Sequence, residues 1–227
     1  MNKKRIFYFI LIFLIVLSFN SCGLFNVEKS EVKEYPLSFL DYGEKNFDLK
    51  IYTMDMKKTD NGMVWIDVNF PFNSYKILKV ERFWTILPEK PSFNYKPFVH
   101  EFEETFFSNC RTLQRQNWKV IVGLSPTTPG SSHSNEATLI IRGAVVECDP
   151  GSKAGRILLP GLGVGKVAGG VIYEIFAQGD ATPRMRFYTR EVDRGKFMGG
   201  DSIEMLKDIF FRLGSLSFEE LRLILGK

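Results

Sequence analysis

The spacing of apolar residues along the chain alternates between the two-residue period of a strand and the longer period of a helix. Phe47 to Met56 reads as a strand. From Met63 to Phe70, Val64, Ile66, Val68 and Phe70 alternate with Trp65, Asp67 and Asn69. Asn61-Gly62 between them suits the positive φ angles of a tight turn, so residues 46–75 are expected to form an N-terminal β-hairpin. Lys76 to Ile86 continues as a strand that Pro88 and Pro91 end. Phe98, Phe102, Phe106, Cys110 and Leu113 then mark one face of a long helix between Pro97 and Asn117. Strands are predicted at Trp118–Leu124, Ala137–Glu147, Val167–Ala177 and Arg184–Val192, with a turn-rich loop over Ser125–Asn135 and a turn at Asp149-Pro150-Gly151-Ser152. Near the end, Asp201 and Glu204 open a helix whose stripe is Ile203, Leu206, Ile209, Phe210 and Leu213. Gly214 is expected to end it, and Ser217 with Glu220 to cap a second helix, stapled by Leu216 and Leu221. The class this implies is α+β: a mixed or antiparallel sheet with one long packed helix, the N-terminal hairpin and C-terminal helices.

The first residues follow another logic. Lys3, Lys4 and Arg5 precede an apolar run from Ile6 to Leu17, and Ser18-Phe19-Asn20-Ser21-Cys22 follows. A positive start, an apolar run shorter than a spanning helix and small residues before a cysteine are the parts of a lipoprotein signal. Phe19 and Asn20 depart from the usual residues of that box; an ordinary cleaved signal or an uncleaved anchor are the alternatives. Lipidation at Cys22 would supply several acyl chains, enough for stable anchoring where one is not. The expected organisation is a signal peptide at 1–21, a tether at 22–45, the hairpin at 46–75 and an α+β lipoprotein domain at 76–227. The expected location is the cell envelope, lipid-anchored in the outer membrane and facing the periplasm.

Composition adds exclusions. The chain has 227 residues, 21 of them Phe, and a formal charge of +4, which falls to +1 once Lys3, Lys4 and Arg5 leave with the signal. A nearly neutral body offers no electrostatic footprint for nucleic acid. Cys110 and Cys148, in a compartment that permits disulfides, read either as two buried thiols or as a pair. No CxxC or HxxxH spacing points to a metal, and no cofactor is expected.

From Ala144 to Gly165 a predicted strand is followed by Pro150-Gly151-Ser152-Lys153-Ala154-Gly155-Arg156 and then Pro160-Gly161-Leu162-Gly163-Val164-Gly165. This resembles the centre of a bacterial lipoprotein family catalogued as domain of unknown function 4410, in which a helix–strand unit leads into a strand, a Gly-Ser turn, an arginine, spaced glycines and a hairpin. Gly143, Gly151, Ser152, Arg156, Gly161, Gly163 and Gly165 match by position, and the resemblance spans Lys76 to Leu213. The Asp-x-x-Thr-Gly turn of the family's hairpin is matched only loosely by Gly179-Asp180-Ala181-Thr182-Pro183. The family brings no established activity.

The spaced glycines invite a phosphate-loop reading and fail it. A Walker A loop would need glycine at Pro160 and serine or threonine at Val167. Gly163-x-Gly165-x-x-Ala168 fits a dinucleotide fingerprint, yet Val167-Ala168-Gly169-Gly170-Val171-Ile172 makes a poor helix, and the pyrophosphate site needs a helix N-terminus. His100 and Glu104 fall on the outer face of the long helix and read as solvated. His133, in Ser131-Ser132-His133-Ser134, lacks a nucleophile elbow. Arg156 bridges a turn to a carboxylate or holds an anionic partner; with Gly161, Gly163 and Gly165 it is the candidate binding segment. The expected function is that of a non-enzymatic accessory or assembly subunit, in contact with an envelope protein or with its own copies. The alternative is a carrier or sensor of a lipid or small apolar ligand.

Overall fold

In a computed structural model, residues 37–87, 93–126, 137–151, 166–193 and 201–226 are described, all within the unit that runs from Pro36 to Lys227. Three long strands carry the sheet: β6 (Thr138–Asp149), β7 (Val167–Ala177) and β8 (Met185–Asp193), preceded in the chain by β1 (Lys57–Lys58), β2 (Met63–Ile66), β3 (Ile77–Glu81), β4 (Trp84–Thr85) and β5 (Lys119–Leu124). The order across the sheet is β1-β2-β8-β7-β6-β3-β5, with β4 also pairing β6. β6, β7, β8 and β2 run antiparallel, while β3 pairs in parallel with both β5 and β6. A parallel neighbour needs a crossover, and the long helix predicted after Pro97 supplies it between β3 and β5. The sheet is therefore mixed, within the expected α+β class.

That helix spans Lys96–Arg111, with Pro97 in its first turn where a missing N–H costs nothing. Phe98, Phe102, Phe106 and Cys110 are buried on its predicted stripe, and Leu113 follows in a 3-10 turn that ends at Asn117, φ +64°. Against it and the sheet packs a C-terminal helix, Ser202–Leu225, capped by the Asp201 side chain accepting from the Ile203 amide. Phe83, Phe102, Phe106, Tyr173 and Phe187 form a ring-on-ring chain between these helices and the sheet, centroids 4.7–5.8 Å apart. Gly143 lets Phe83 reach the sheet, since a Cβ there would stand 2.1 Å from its ring.

Two expectations are corrected. Phe47–Met56 is not a strand: α1 (Phe39–Asn46) and α2 (Leu49–Tyr52) occupy this region, so the structured domain reaches back into the expected tether at least to Leu37. Ser38 and Asp41 form a capping box that starts α1, and Asp48 caps α2. The hairpin survives as the short β1–β2 pair around Asn61-Gly62. The C-terminal segment is one helix, not two. Gly214 does not end it but sits where it crosses the Lys96–Arg111 helix: a Cβ there would lie 2.9 Å from Thr105 Cβ and 3.1 Å from the Phe102 carbonyl oxygen. The Ser217 carbonyl accepts from the Tyr173 hydroxyl, and Glu220 accepts from Thr59 and Asn61, tying the helix to the hairpin turn.

Candidate functional site

The sheet face away from the two long helices carries charge. Register sets Arg142 of β6 opposite Glu174 of β7, Glu174 opposite Arg186 of β8, and Arg186 opposite Trp65 of β2. Residues directly opposite project to the same side, and Arg142 Nε donates to Glu81 of β3 at 3.1 Å. The result is a row of alternating sign across four strands, Glu81, Arg142, Glu174 and Arg186, every member buried. Aromatic faces bracket the cations: Arg142 lies 5.0 Å from the Phe176 ring centroid, and Arg186 4.9 Å from that of Tyr52 and 5.7 Å from that of Trp65.

Over the Glu174–Arg186 end of this row lie α1 and α2, which with the linking residues form a strap over 37–56. Phe39, Tyr52 and Met56 pack on Ile86, Ala144, Val146 and Ile172. The polar contacts converge on one carboxyl. Ser38 Oγ donates to Glu174 Oε2 at 2.5 Å; the Phe39 amide and the Tyr52 hydroxyl each donate to Oε1 at 2.9 Å. Glu174 thus stands at the N-terminus of α1, where amides and the helix dipole favour an anion. Arg186 completes the join, donating to the Tyr52 carbonyl at 3.1 Å and to Asp55, while its buried Nε has no partner among the described residues. Burial outweighs the three donors and Arg186, and pushes the Glu174 carboxyl up to about 7; the Tyr52 hydroxyl is pushed well above its usual range by burial and by Glu174.

A carboxyl with a raised pKa beside serine and tyrosine hydroxyls has the parts of an acid–base site. It lacks access. Ser38, Tyr52 and Glu174 are 2%, 0% and 0% exposed, so in this conformation the constellation meets the strap and no substrate.

Beside the sealed row the same face opens into a cleft of about 510 Å³, walled by Phe47, Asp48, Leu49 and Ile86 and floored by Val146, Glu147, Tyr188 and Arg190. Arg190 and Glu147 pair bidentately at 2.6 and 2.8 Å across β7, passing over Gly170, where a Cβ would stand 3.2 Å from that of Glu147. Its neighbour Gly169 does the same on the helix side, where a Cβ would meet Ile209 at 2.8 Å. The paired glycines of β7 thus serve packing on two faces.

Of the residues singled out from the sequence, Cys22, His133, Arg156, Gly161, Gly163 and Gly165 lie outside the described residues. Gly151 adopts φ +62° at the end of β6. The segment from Val167 is strand β7, not the helix a dinucleotide site needs. His100 and Glu104 are exposed on the outer side of their helix. Cys110 and Cys148 are free thiols in the helix-side core and form no disulfide; burial pushes the Cys110 thiol above its usual range and the Cys148 thiol up to about 12. Among the described residues no group of three or more His, Cys, Asp or Glu could hold a metal, and no helix is long and apolar enough to cross a membrane.

No protein-family model matches the chain, and no curated protein matches it. Solved structures with a partial likeness include the PelC dodecamer from Paraburkholderia phytofirmans, 13% identical, covering 68% of this chain and 96% of that one at a TM-score of 0.40. A neuraminyllactose-binding hemagglutinin homolog from Helicobacter pylori is 13% identical, covering 66% of this chain and 86% of that one at 0.39. The hypothetical protein CT253 from Chlamydia trachomatis is 7% identical, covering 63% and 96% at 0.36. Likenesses of this size carry no functional argument.

Proposed function

We propose that the protein is a lipid-anchored, non-enzymatic accessory or assembly subunit of the cell envelope, held to the membrane through Cys22 and acting by contact with an envelope protein or with its own copies. The observation that carries this reading is the use made of the buried polar groups. Glu174, Tyr52, Ser38 and Arg186 have the types that catalysis employs, and all are engaged in fastening the segment 37–56 onto the sheet. A domain whose buried acid–base groups are taken up by internal fastening suits a scaffold, and anchoring through Cys22 would raise its local concentration near a partner in the same membrane. Crosslinking in native membranes, followed by identification of the attached chains, tests it. The expected outcome is a reproducible envelope partner or a ladder of self-adducts, lost when Cys22→Ala moves the protein out of the membrane fraction. A monomer that crosslinks to nothing and turns over a substrate contradicts it.

The cleft beside Tyr188 and Arg190 favours a second reading, the carriage of a lipid or small apolar ligand. Phe47, Leu49, Ile86 and Val146 offer apolar walls, and Arg190 with Glu147 a polar floor, at a volume typical of ligand sites. Native mass spectrometry of the purified protein separates the two. A co-purifying lipid, displaced by Val146→Trp, would favour the carrier.

A further inference from the structure

We propose that residues 37–56 are a pH-sensitive clasp, docked on the sheet more tightly in acid than in alkaline conditions, with Glu174 as the titrating contact. This goes beyond the accessory reading and does not depend on Cys22 being lipidated. The geometry is that of a fastening and not of a sheet extension. Among the described residues, every hydrogen bond that joins 37–56 to the strands involves Glu174 or Arg186, and three of them end on the two oxygens of one carboxyl. The apolar part of the contact, Phe39, Tyr52 and Met56 on Ala144, Val146 and Ile172, is indifferent to pH. Two carboxyls therefore stand in this contact: Glu174, buried beneath both helices of the strap, and Asp55, half exposed at its end, where it pairs with Arg186.

The sign follows from what the carboxyl meets in each state. Under the strap it is fully buried, and burial raises its pKa to about 7 from an ordinary 4.5; with the strap lifted, the same face meets water and the ordinary value returns. Docking then takes up a proton between those values, so the contribution is fully present below about 4.5 and is lost as pH rises through about 7. The other charged or titratable groups around Glu174 are Asp41, Tyr52 and Asp55 from the strap, Asp41 accepting from the Ser38 amide, with Arg186 from β8 and Arg142 from β6 with its partner Glu81. Tyr52 is held well above its usual range and stays neutral, and the guanidinium groups are permanent cations. They make ionised Glu174 tolerable under the strap, which is why alkaline pH loosens the clasp and does not unfold the domain.

Amide hydrogen exchange of the full chain in detergent, corrected for intrinsic rates, reads this directly. Protection of strap amides relative to those of β6–β8 should fall about 30-fold between pH 5.5 and 8.5, the change that a shift from 4.5 to about 7 allows. Glu174→Gln should flatten that dependence, while Ser38→Ala should weaken docking throughout and keep it. Strap protection that does not change with pH in the wild type, or a dependence that persists in Glu174→Gln, overturns the proposal. Should Glu174→Gln fail to fold, the carboxyl carbon shift of Glu174 in the wild type decides: a midpoint near 7 supports the clasp, and one near 4.5 ends it.

Discussion

The two faces of one sheet are closed by different physics. On the helix side, alternate residues of β6, β7 and β8 meet Phe98, Phe102, Phe106, Phe210 and Leu213 in a continuous apolar core, where non-directional burial does most of the holding. On the strap side a smaller cluster of Phe39, Tyr52, Met56, Ala144, Val146 and Ile172 adjoins the row Glu81, Arg142, Glu174 and Arg186. Burial of that kind is favourable only while each charge keeps its partners. A face packed with rings tolerates changes of pH and salt. A face closed by a buried carboxyl is the one whose hold can change with pH.

The largest effect that would sharpen this contrast belongs to the helix side. Phe106 is fully buried against Phe83, Phe102 and Tyr173. Phe106→Ala is expected to cost about 3–5 kcal/mol in urea unfolding, through lost burial and the cavity left behind. Glu174→Ala comes next, at about 3 kcal/mol, because it strands Ser38, the Phe39 amide, Tyr52 and Arg186 without their shared partner. Its signature differs in kind: limited proteolysis should cut first within 37–56 while β6–β8 stay intact. If both variants lose every element together, the two faces are one cooperative unit and the contrast fails.

Gly214→Ala tests the helix crossing at smaller scale. In an ordinary exposed helix the change would stabilise by up to about 1 kcal/mol. Here the added methyl meets Thr105 and the Phe102 carbonyl, so a loss of about 1–2 kcal/mol is expected in thermal unfolding. The smallest effect concerns the thiols. Buried, with their pKa values raised, Cys110 and Cys148 should ignore a thiol reagent at pH 8 in the native state and react only on unfolding. Their mass should show no disulfide.

The helix side was the legible one. A stripe at Phe98, Phe102, Phe106 and Cys110, β-branched runs at β6 and β7, and the Asp201 cap are local signals that agree with their tertiary surroundings. The errors came where local and tertiary signals part. Gly214, Ser217 and Glu220 have the look of a stop and a restart, but Gly214 is needed for close helix contact, and Glu220 reaches the hairpin turn at Thr59 and Asn61. Phe47, Leu49 and Ile51 alternate like a strand, whereas the Ser38–Asp41 box and the Asp48 cap set two short helices. The charged row has no sequence signature at all. Glu174 and Arg186 stand between apolar neighbours as solvent-facing strand residues would, Glu81 lies beside Arg82 and Arg142 beside Gly143, and only the register of four strands brings the four together, buried.

The most direct test of the account is a double-mutant cycle between Ser38 and Glu174, read by equilibrium unfolding at pH 7 in the full chain. Ser38→Ala and Glu174→Gln, alone and together, isolate the 2.5 Å bond between strap and sheet. A buried hydrogen bond to a carboxyl predicts a coupling of about 1–3 kcal/mol. A coupling near zero would mean that the strap rests on its apolar residues alone, and that the buried carboxyl does not hold it.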